Sequence, residues 1–152
     1  MNPDIQTYFE RISWAVETIL AAGEGMDSQM LNASPVPDEA NSIYVLATHI
    51  MGNLRQGIVS LFGDAEDHRD RDSEFVASGD SIEDLNAAWA ELKPQIEATM
   101  AKLTPEILEQ PIVHPRRGPM NGWAVLLNTA MHAAEHAGHA ELTRQLLDVK
   151  QG

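Results

Sequence analysis

The strongest constraint on the fold is a helical spacing of apolar residues that recurs in long segments of the chain. Apolar side chains return at steps of three and four residues, which is the period of one face of an α-helix. Stretches that contain glycine or proline separate these segments. The pattern predicts helices at residues 3–22, 38–62, 81–103 and 121–149. Four amphipathic helices with little strand signal predict an all-α four-helix bundle.

Length and residue content restrict the class of protein. A chain of 152 residues fits one domain, residues 1–152, and needs no disulfide bonds to stabilise its core. The absence of cysteine excludes a disulfide framework, a thiolate metal site and a cysteine nucleophile. The N-terminus lacks the basic start and apolar run of a signal peptide, and no apolar run reaches the length of about 20 residues that spans a membrane. We therefore expect a soluble, cytoplasmic protein.

The charge balance excludes one class of partner. The net charge is −13, from 23 acidic and 10 basic residues. Proteins that bind nucleic acid draw most of their affinity from lysine and arginine. The only adjacent basic pair here is Arg116-Arg117. The sequence therefore predicts no nucleic-acid partner.

The last predicted helix carries the most informative motif, MHAAEHAGHAEL, at residues 131–142. His132 and His136 are four residues apart, so they share one helix face, with Cβ atoms about 5–6 Å apart. Two imidazoles so placed can bind one metal ion at about 2.0–2.1 Å. His139 is rotated past this face, which leaves it as a third ligand, a neighbour of the ligands or a surface residue. Glu135 is either solvated or an acceptor that orients an imidazole N–H.

His49, in the middle of the second predicted helix, is the best candidate for a third ligand. Its neighbours are apolar, and burying an unpaired polar group there costs roughly 1–3 kcal/mol. A metal ion would remove that cost, as would a hydrogen bond to a backbone carbonyl or to Asn53. Spacing alone therefore leaves two alternatives: a metal site, or a metal-free bundle in which the histidines are packing residues.

The segment HAAEH, residues 132–136, also matches the H-x-x-E-H pattern of the inverzincin metalloproteases. In those enzymes the glutamate is the general base, and a carboxylate further along the chain completes the zinc site. Only 16 residues follow His136, and those proteases are far larger. A five-residue pattern in a helix rich in alanine and histidine arises easily by chance, so we reject this interpretation.

The remaining histidines lie in connectors. We expect His68, in a charged connector, and His114, in a proline-rich one, to be exposed. A second hypothesis for His114 is that it lies with Arg116 and Arg117 over the mouth of a pocket and meets an anion there. The tryptophans are predicted to anchor the core, and they are Trp14, Trp89 and Trp123.

Three segments in this order, SIYVLATHIMGNL, DHRDRDSEF and MHAAEHAGHAEL, resemble the DinB/YfiT-like superfamily of metalloenzymes. The resemblance covers nearly the whole chain. It implies an up-down-down-up four-helix bundle with a metal bound by one histidine of the second helix and two of the last. In this chain those residues are His49, His132 and His136. The family motif often ends in His-x-Gly-Gln, whereas His139 stands here in place of the glutamine, which leaves its role open.

The resemblance also implies a function. Three neutral imidazoles leave coordination positions open, as in a catalytic metal site. They suit a divalent metal, zinc or nickel first, with iron, copper or manganese as alternatives. Superfamily relatives include transferases and isomerases that use a small thiol such as bacillithiol, mycothiol or glutathione. The resemblance therefore implies a metal-dependent enzyme of the thiol-dependent S-transferase or isomerase type, with a small-molecule substrate and a small-thiol cosubstrate.

The sequence leaves other functions open. Many superfamily members have no known activity, so the chain could be a non-catalytic metal-binding or stress-related bundle that acts through partners. Relatives also dimerise through their long helices, which makes a homodimer an option, although no patch in the sequence demands one. The sequence assigns no catalytic residue beyond the metal ligands.

Overall fold

The computed structural model of the protein describes residues 1–63 and 65–151; Asp64, the first residue of the charged connector, and Gly152 lie outside the described residues. Long helices form the framework, and short elements fill the connectors. In chain order the elements are α1 (Pro3–Gly23), α2 (Ser28–Leu31), α3 (Ile43–Leu54), α4 (Arg71–Glu74), α5 (Ile82–Met100), α6 (Pro105–Glu109), β1 (Pro111–His114), β2 (Gly118–Asn121) and α7 (Gly122–Gln151).

The long helices begin where a polar side chain can cap them. Asn2 caps α1, and its side chain accepts the backbone N–H of Asp4 at 2.8 Å. Ser81 caps α5, and its hydroxyl accepts the backbone N–H of Glu83 at 3.0 Å. Such side chains satisfy backbone donors that the first turn of a helix leaves free. Three of the four predicted long helices therefore begin within a residue or two of their predicted positions.

The second predicted helix, residues 38–62, begins later than expected but stays helical to Phe62, as predicted. Asp38 has φ +64°, in the left-handed region, so the helix cannot begin there. It begins after Ser42, whose hydroxyl accepts a backbone N–H of the first turn. Beyond α3 the backbone widens into a π-helical segment, Arg55–Ser60. Such segments are frequent at functional sites, and this one carries Gln56, which contacts the charged connector.

The proline-rich connector forms a hairpin that the sequence analysis did not predict. Strand β1 pairs antiparallel with β2, with Ile112 opposite Met120. Gly118 follows the turn with φ +75°, a conformation that costs glycine little. Strands of four residues with three prolines nearby carry too weak a pattern to be recognised from sequence.

Helix α1 lies against α3, α5 and α7, and the core forms where their apolar faces meet. Burial of one large aliphatic side chain contributes about 1.5–3 kcal/mol. Helices and one short hairpin make up the described structure, which confirms the all-α class; the up-down-down-up order stays a prediction. No described helix is long and apolar enough to cross a membrane. Fully buried core residues include Ile5, Ile12, Ile19, Ile43, Ile50, Leu54, Ile96 and Leu126.

The tryptophan prediction is wrong in one of its three positions. Trp89 is buried, and Trp123 is half-buried with its ring centroid 6.2 Å from that of Tyr8. Trp14 is 51% exposed, because it falls on the solvent face of α1. Helical position, rather than residue type, decides which tryptophan enters the core. Formation of a homodimer through the long helices stays a prediction.

Candidate metal centre

Helices α3 and α7 bring His49, His132 and His136 together. One ring nitrogen of each residue lies within 4.8 Å of those of the other two. The ring centroid of His49 is 5.3 Å from that of His132 and 5.2 Å from that of His136. His49 is buried, while the two α7 histidines are partly exposed. Three residues that the sequence analysis selected from two distant segments therefore form one cluster.

The imidazole of His49 is held from behind by a carboxylate. Its Nδ1 lies 2.8 Å from Oε2 of Glu74, so Nδ1–H donates and Nε2 carries the lone pair. That Nε2 lies 3.1 Å from Nε2 of His132. The sequence analysis proposed a backbone carbonyl or Asn53 as the partner of His49, and the structure shows Glu74 instead. The contact fixes the tautomer in which His49 can act as a ligand.

Glu74 is itself held by an arginine. It is 5% exposed, and its two carboxylate oxygens accept hydrogen bonds from Nε and Nη2 of Arg69 at 2.7 and 2.8 Å. Nη1 of Arg69 donates to Oε1 of Gln56 in the π-helical segment at 3.0 Å. Bidentate pairs of this kind are among the stronger charge-assisted hydrogen bonds. Hydrogen bonds therefore connect Gln56, in the π-helical segment after α3, through Arg69 and Glu74 to His49.

Gly52 makes room for this arrangement. It lies on α3 one turn after His49, and a Cβ there would overlap the carboxylate of Glu74, with its Cδ at 2.9 Å. Neither Glu74 nor Arg69 is singled out by sequence, because the connector contains six carboxylates between Asp64 and Glu74. Only the fold of α4 selects one of them.

The α7 histidines leave one buried nitrogen without a partner. Nε2 of His136 is buried and has no hydrogen bond in the described structure. Buried polar groups are nearly always paired, so an orphaned imidazole nitrogen beside two others suits a cation. Nδ1 of His136 lies 3.2 Å from Nδ1 of His139, which is exposed. Glu135 is also exposed, in agreement with its solvated alternative.

Burial keeps the cluster uncharged at neutral pH. Burial, and then the neighbouring His49, lower the pKa of His132 to about 4. Burial and the two other cluster histidines lower the pKa of His136 to about 3. Burial also lowers the pKa of His49, although the hydrogen bond to Glu74 opposes this shift. Neutral imidazoles have the lone pairs that a metal ion requires.

Two cavities adjoin the histidines. The first, which we call the cationic cavity, has a volume of about 290 Å³ and is lined by His49, Asn53, Arg69, Arg71, His114, Arg116, Arg117 and His132. The second, the apolar cavity, has about 300 Å³, and its walls include His136, His139, Pro35, Val36, Leu46, Leu142 and Leu146. A larger cleft of about 510 Å³ adjoins Arg69 and Glu74 but contains none of the three clustered histidines. The cluster is thus reached from two chemically different sides.

The connector histidines behave differently from each other. The side chain of His68 is 80% exposed, as expected. His114 is only 5% exposed, so its predicted exposure is wrong. The hairpin buries it, and its Nδ1 accepts the backbone N–H groups of Arg116 and Arg117 at 3.1 and 3.3 Å. The alternative hypothesis, which grouped these three residues at a pocket, agrees with the lining of the cationic cavity.

Comparison with known families agrees with this geometry. A family model described as mycothiol-S-transferase matches residues 7–149. The chain belongs to the mycothiol S-transferase family. This membership confirms the resemblance to the DinB/YfiT-like superfamily. The matched residues of this family member include all three clustered histidines.

A solved structure supports the fold of this mycothiol S-transferase family member. A crystal structure described as a conserved protein from Enterococcus faecalis is similar to it, with a TM-score of 0.75 over 95% of this chain and 96% of the other. The two sequences are 19% identical, so the likeness concerns the fold alone. It confirms the DinB-like all-α fold class. No curated protein sequence matches the chain significantly.

The lowered pKa values of His132 and His136 predict how the stability of the protein without bound metal depends on pH. In the unfolded chain both histidines become protonated as the pH falls below about 6.5. In the folded protein His132 becomes protonated only near pH 4 and His136 only near pH 3. The free energy of unfolding should therefore fall as pH drops from 7 to 5, by at least about 1 kcal/mol. Urea denaturation in the presence of a chelator measures it.

The control for this prediction separates the cluster from other titrating groups. The double variant His132→Gln/His136→Gln should show a clearly smaller decrease between pH 7 and 5, whereas His68→Gln, at an exposed position, should behave as the wild type. If the double variant loses as much stability as the wild type over this range, the cluster is not the source of the pH dependence.

Proposed function

We propose that the protein is a metal-dependent enzyme of the thiol S-transferase type, with His49, His132 and His136 as ligands of a divalent metal. The observation that carries the proposal is the convergence of three neutral imidazoles from two helices, one of them with a buried and unpartnered nitrogen. Membership of the mycothiol S-transferase family supports transfer to or from a small thiol. Residues 1–152 would form one DinB-like domain.

The donor set fits a metal. Three nitrogen donors with open positions are typical of catalytic zinc, and they also suit nickel, iron, copper or manganese. When bound, such an ion supplies Lewis acidity, which favours the thiolate over the thiol form of a cosubstrate. The buried carboxylate of Glu74 behind His49 is the kind of outer partner that metal-binding histidines usually have.

The residues of the chain provide the remaining functions. Glu74 and Arg69 fix the tautomer and orientation of His49. The apolar cavity beside His136 would receive the apolar part of a reactant and exclude water from it. The cationic cavity would receive the polar end of the other reactant. The reaction would form a bond between the thiol sulfur and an electrophilic carbon of the other reactant. The bond from that carbon to its leaving group would break, the leaving group would depart with the bonding electron pair, and the thiol proton would pass to solvent.

The open cavities favour a catalyst over a non-catalytic metal-binding module. An ion with a purely structural role would be sealed by protein ligands, whereas cavities of about 290 and 300 Å³ adjoin this cluster. Low-molecular-weight thiols belong to reducing compartments, and the chain has no cysteine. We therefore also propose a cytoplasmic location.

The first prediction from this proposal concerns metal content. Wild-type protein should bind about one divalent ion per chain, and each of His49→Ala, His132→Ala and His136→Ala should lose most of it, since each removes one of three ligands. Elemental analysis measures this content. His68→Ala, at an exposed position, should retain the wild-type content. Equal metal in the triple alanine variant and the wild type would contradict the assignment.

The second prediction concerns Glu74. Glu74→Gln keeps the size of the side chain but weakens its hold on the Nδ1–H of His49, so zinc affinity should fall by about 10–100-fold. Competition with a chromophoric chelator measures the affinity. Glu66→Gln removes an exposed carboxylate that pairs with His68, and it should leave zinc affinity unchanged. An unaltered affinity in Glu74→Gln would show that the carboxylate has no role in metal binding.

The third prediction tests the thiol cosubstrate. Co²⁺-loaded protein titrated with small thiols should develop a sulfur-to-cobalt charge-transfer band, because a thiolate would occupy an open coordination position. The triple alanine variant should show no such band. If the loaded wild-type protein binds Co²⁺ through the three histidines but gives no band with any of several thiols, the S-transferase proposal is wrong and the metal-binding module is favoured.

A further inference from the structure

We propose that the cationic cavity binds the carboxylate of a small organic acid, and that this acid is one of the two reactants. The status of the acid as a reactant rests on the proposed function. The binding of the carboxylate rests on the cavity itself and can be tested without metal or turnover.

Positive charge is concentrated around the cationic cavity. Arg69, Arg71, Arg116 and Arg117 line the cavity, which is four of the ten basic residues of a chain with net charge −13. None of the lining residues in the described part of the chain is acidic. Screening at physiological salt reduces interactions beyond about 8 Å, so the charges that line the cavity act on a bound ligand more strongly than acidic groups elsewhere on the surface. The cavity is therefore a local anion site on an acidic protein.

Three of these arginines have no acidic partner among the described residues. Arg69 is neutralised by Glu74. Within residues 1–63 and 65–151, no carboxylate forms a salt bridge with Arg71, Arg116 or Arg117. Like charges gathered around a cavity repel one another, and a bound anion relieves this repulsion.

The contacts that these arginines do make are with uncharged groups. The guanidinium carbon of Arg71 lies 4.6 Å from the ring centroid of Phe75, and Nη1 of Arg117 lies 3.3 Å from Oδ1 of Asn128. These contacts orient two of the guanidinium groups but leave their charges uncompensated.

The hairpin positions Arg116, Arg117 and His114 at the cavity. Nδ1 of His114 accepts the backbone N–H groups of Arg116 and Arg117, which holds the arginine turn against the buried ring. Since Nδ1 is an acceptor, the neutral ring carries its proton on Nε2. Burial and the two arginines lower the pKa of His114, so the ring stays neutral near pH 7. His114 thus adds a neutral N–H donor to the cavity lining.

Size and position define the ligand. A volume of about 290 Å³ lies at the lower end of the range of about 300–1,000 Å³ for ligand pockets, which selects a small acid. Planar guanidinium groups match the geometry of a carboxylate. His49 and His132 form part of the same cavity lining, so the carbon chain attached to the carboxylate would lie beside the histidine cluster.

The test is calorimetric titration with succinate, and with neutral succinamide as its matched probe. Wild-type protein should bind succinate in a saturable manner, with or without added Zn²⁺, and should not bind succinamide measurably. Arg116→Gln/Arg117→Gln should weaken succinate binding by at least about tenfold, since charge-assisted hydrogen bonds are lost. Both substituted side chains are exposed, and the circular dichroism spectrum should be unchanged.

A matched variant separates the site from net charge. Arg11→Gln/Lys102→Gln removes the same two positive charges from exposed positions that do not line the cavity, and it should bind succinate as the wild type does. The proposal is overturned if succinate does not bind, if succinamide binds equally well, or if the two double variants lose equal affinity. None of these titrations involves a thiol. Failure of carboxylate binding can therefore be distinguished from failure of the proposed S-transferase function.

A second titration identifies which reactant carries the acid. With Zn²⁺-loaded protein, 3-mercaptopropionate is compared with its neutral analogue 3-mercaptopropanol. Tighter binding of the acid that is lost in Arg116→Gln/Arg117→Gln assigns the carboxylate to the thiol. Equal binding of both thiols, together with succinate binding that persists in their presence, assigns it to the electrophile. In the proposed arrangement the acid occupies the cationic cavity while the thiol binds at the histidine cluster. Loss of succinate binding in the presence of 3-mercaptopropanol, which lacks a carboxylate, would contradict this arrangement.

Discussion

The buried carboxylate of Glu74 is the contact on which the arrangement of the site depends. A carboxylate at 5% exposure would be strongly destabilising without partners. Here Arg69 supplies two hydrogen bonds and His49 supplies a third. The same contact that stabilises the charge also fixes which nitrogen of His49 faces the other two histidines. The fold of the charged connector therefore determines how His49 is oriented in the site.

Two backbone features make this contact possible. Gly52 leaves space on α3 for the carboxylate, and a side chain there would displace it. The π-helical segment that follows carries Gln56, which accepts a hydrogen bond from Arg69 and donates one to Asp67. The irregular turn of the helix thus holds the connector in place. The local departure from α-helical geometry is part of how the site is built.

The part of the structure that could be predicted from sequence is the part governed by periodicity. Apolar spacing located the long helices, and the four-residue interval of His132 and His136 placed both on one face of α7. The hydrogen-bond partner of His49 could not be predicted, because six carboxylates lie in one connector and only its fold selects Glu74. The burial of His114 depends on a hairpin with strands too short to leave a pattern.

The site combines two chemically different environments. Neutral imidazoles from α3 and α7 lie between an arginine-lined cavity and an apolar one. A reactant with an acidic end and a reactant with an apolar end would therefore approach the same cluster from different sides. Such separation holds two reactants in a fixed relation, which is how binding energy lowers the barrier to a two-substrate reaction.

The most direct measurement of the central claim is X-ray absorption spectroscopy at the zinc edge of the Zn²⁺-loaded protein. The account predicts three imidazole nitrogens at about 2.0–2.1 Å from the ion in the wild type. In His49→Ala it predicts loss of most of the zinc, and at most two imidazole ligands for any zinc that stays bound. A spectrum with at most one imidazole ligand, or one that is identical in His49→Ala, would contradict the claim that His49, His132 and His136 bind one metal ion.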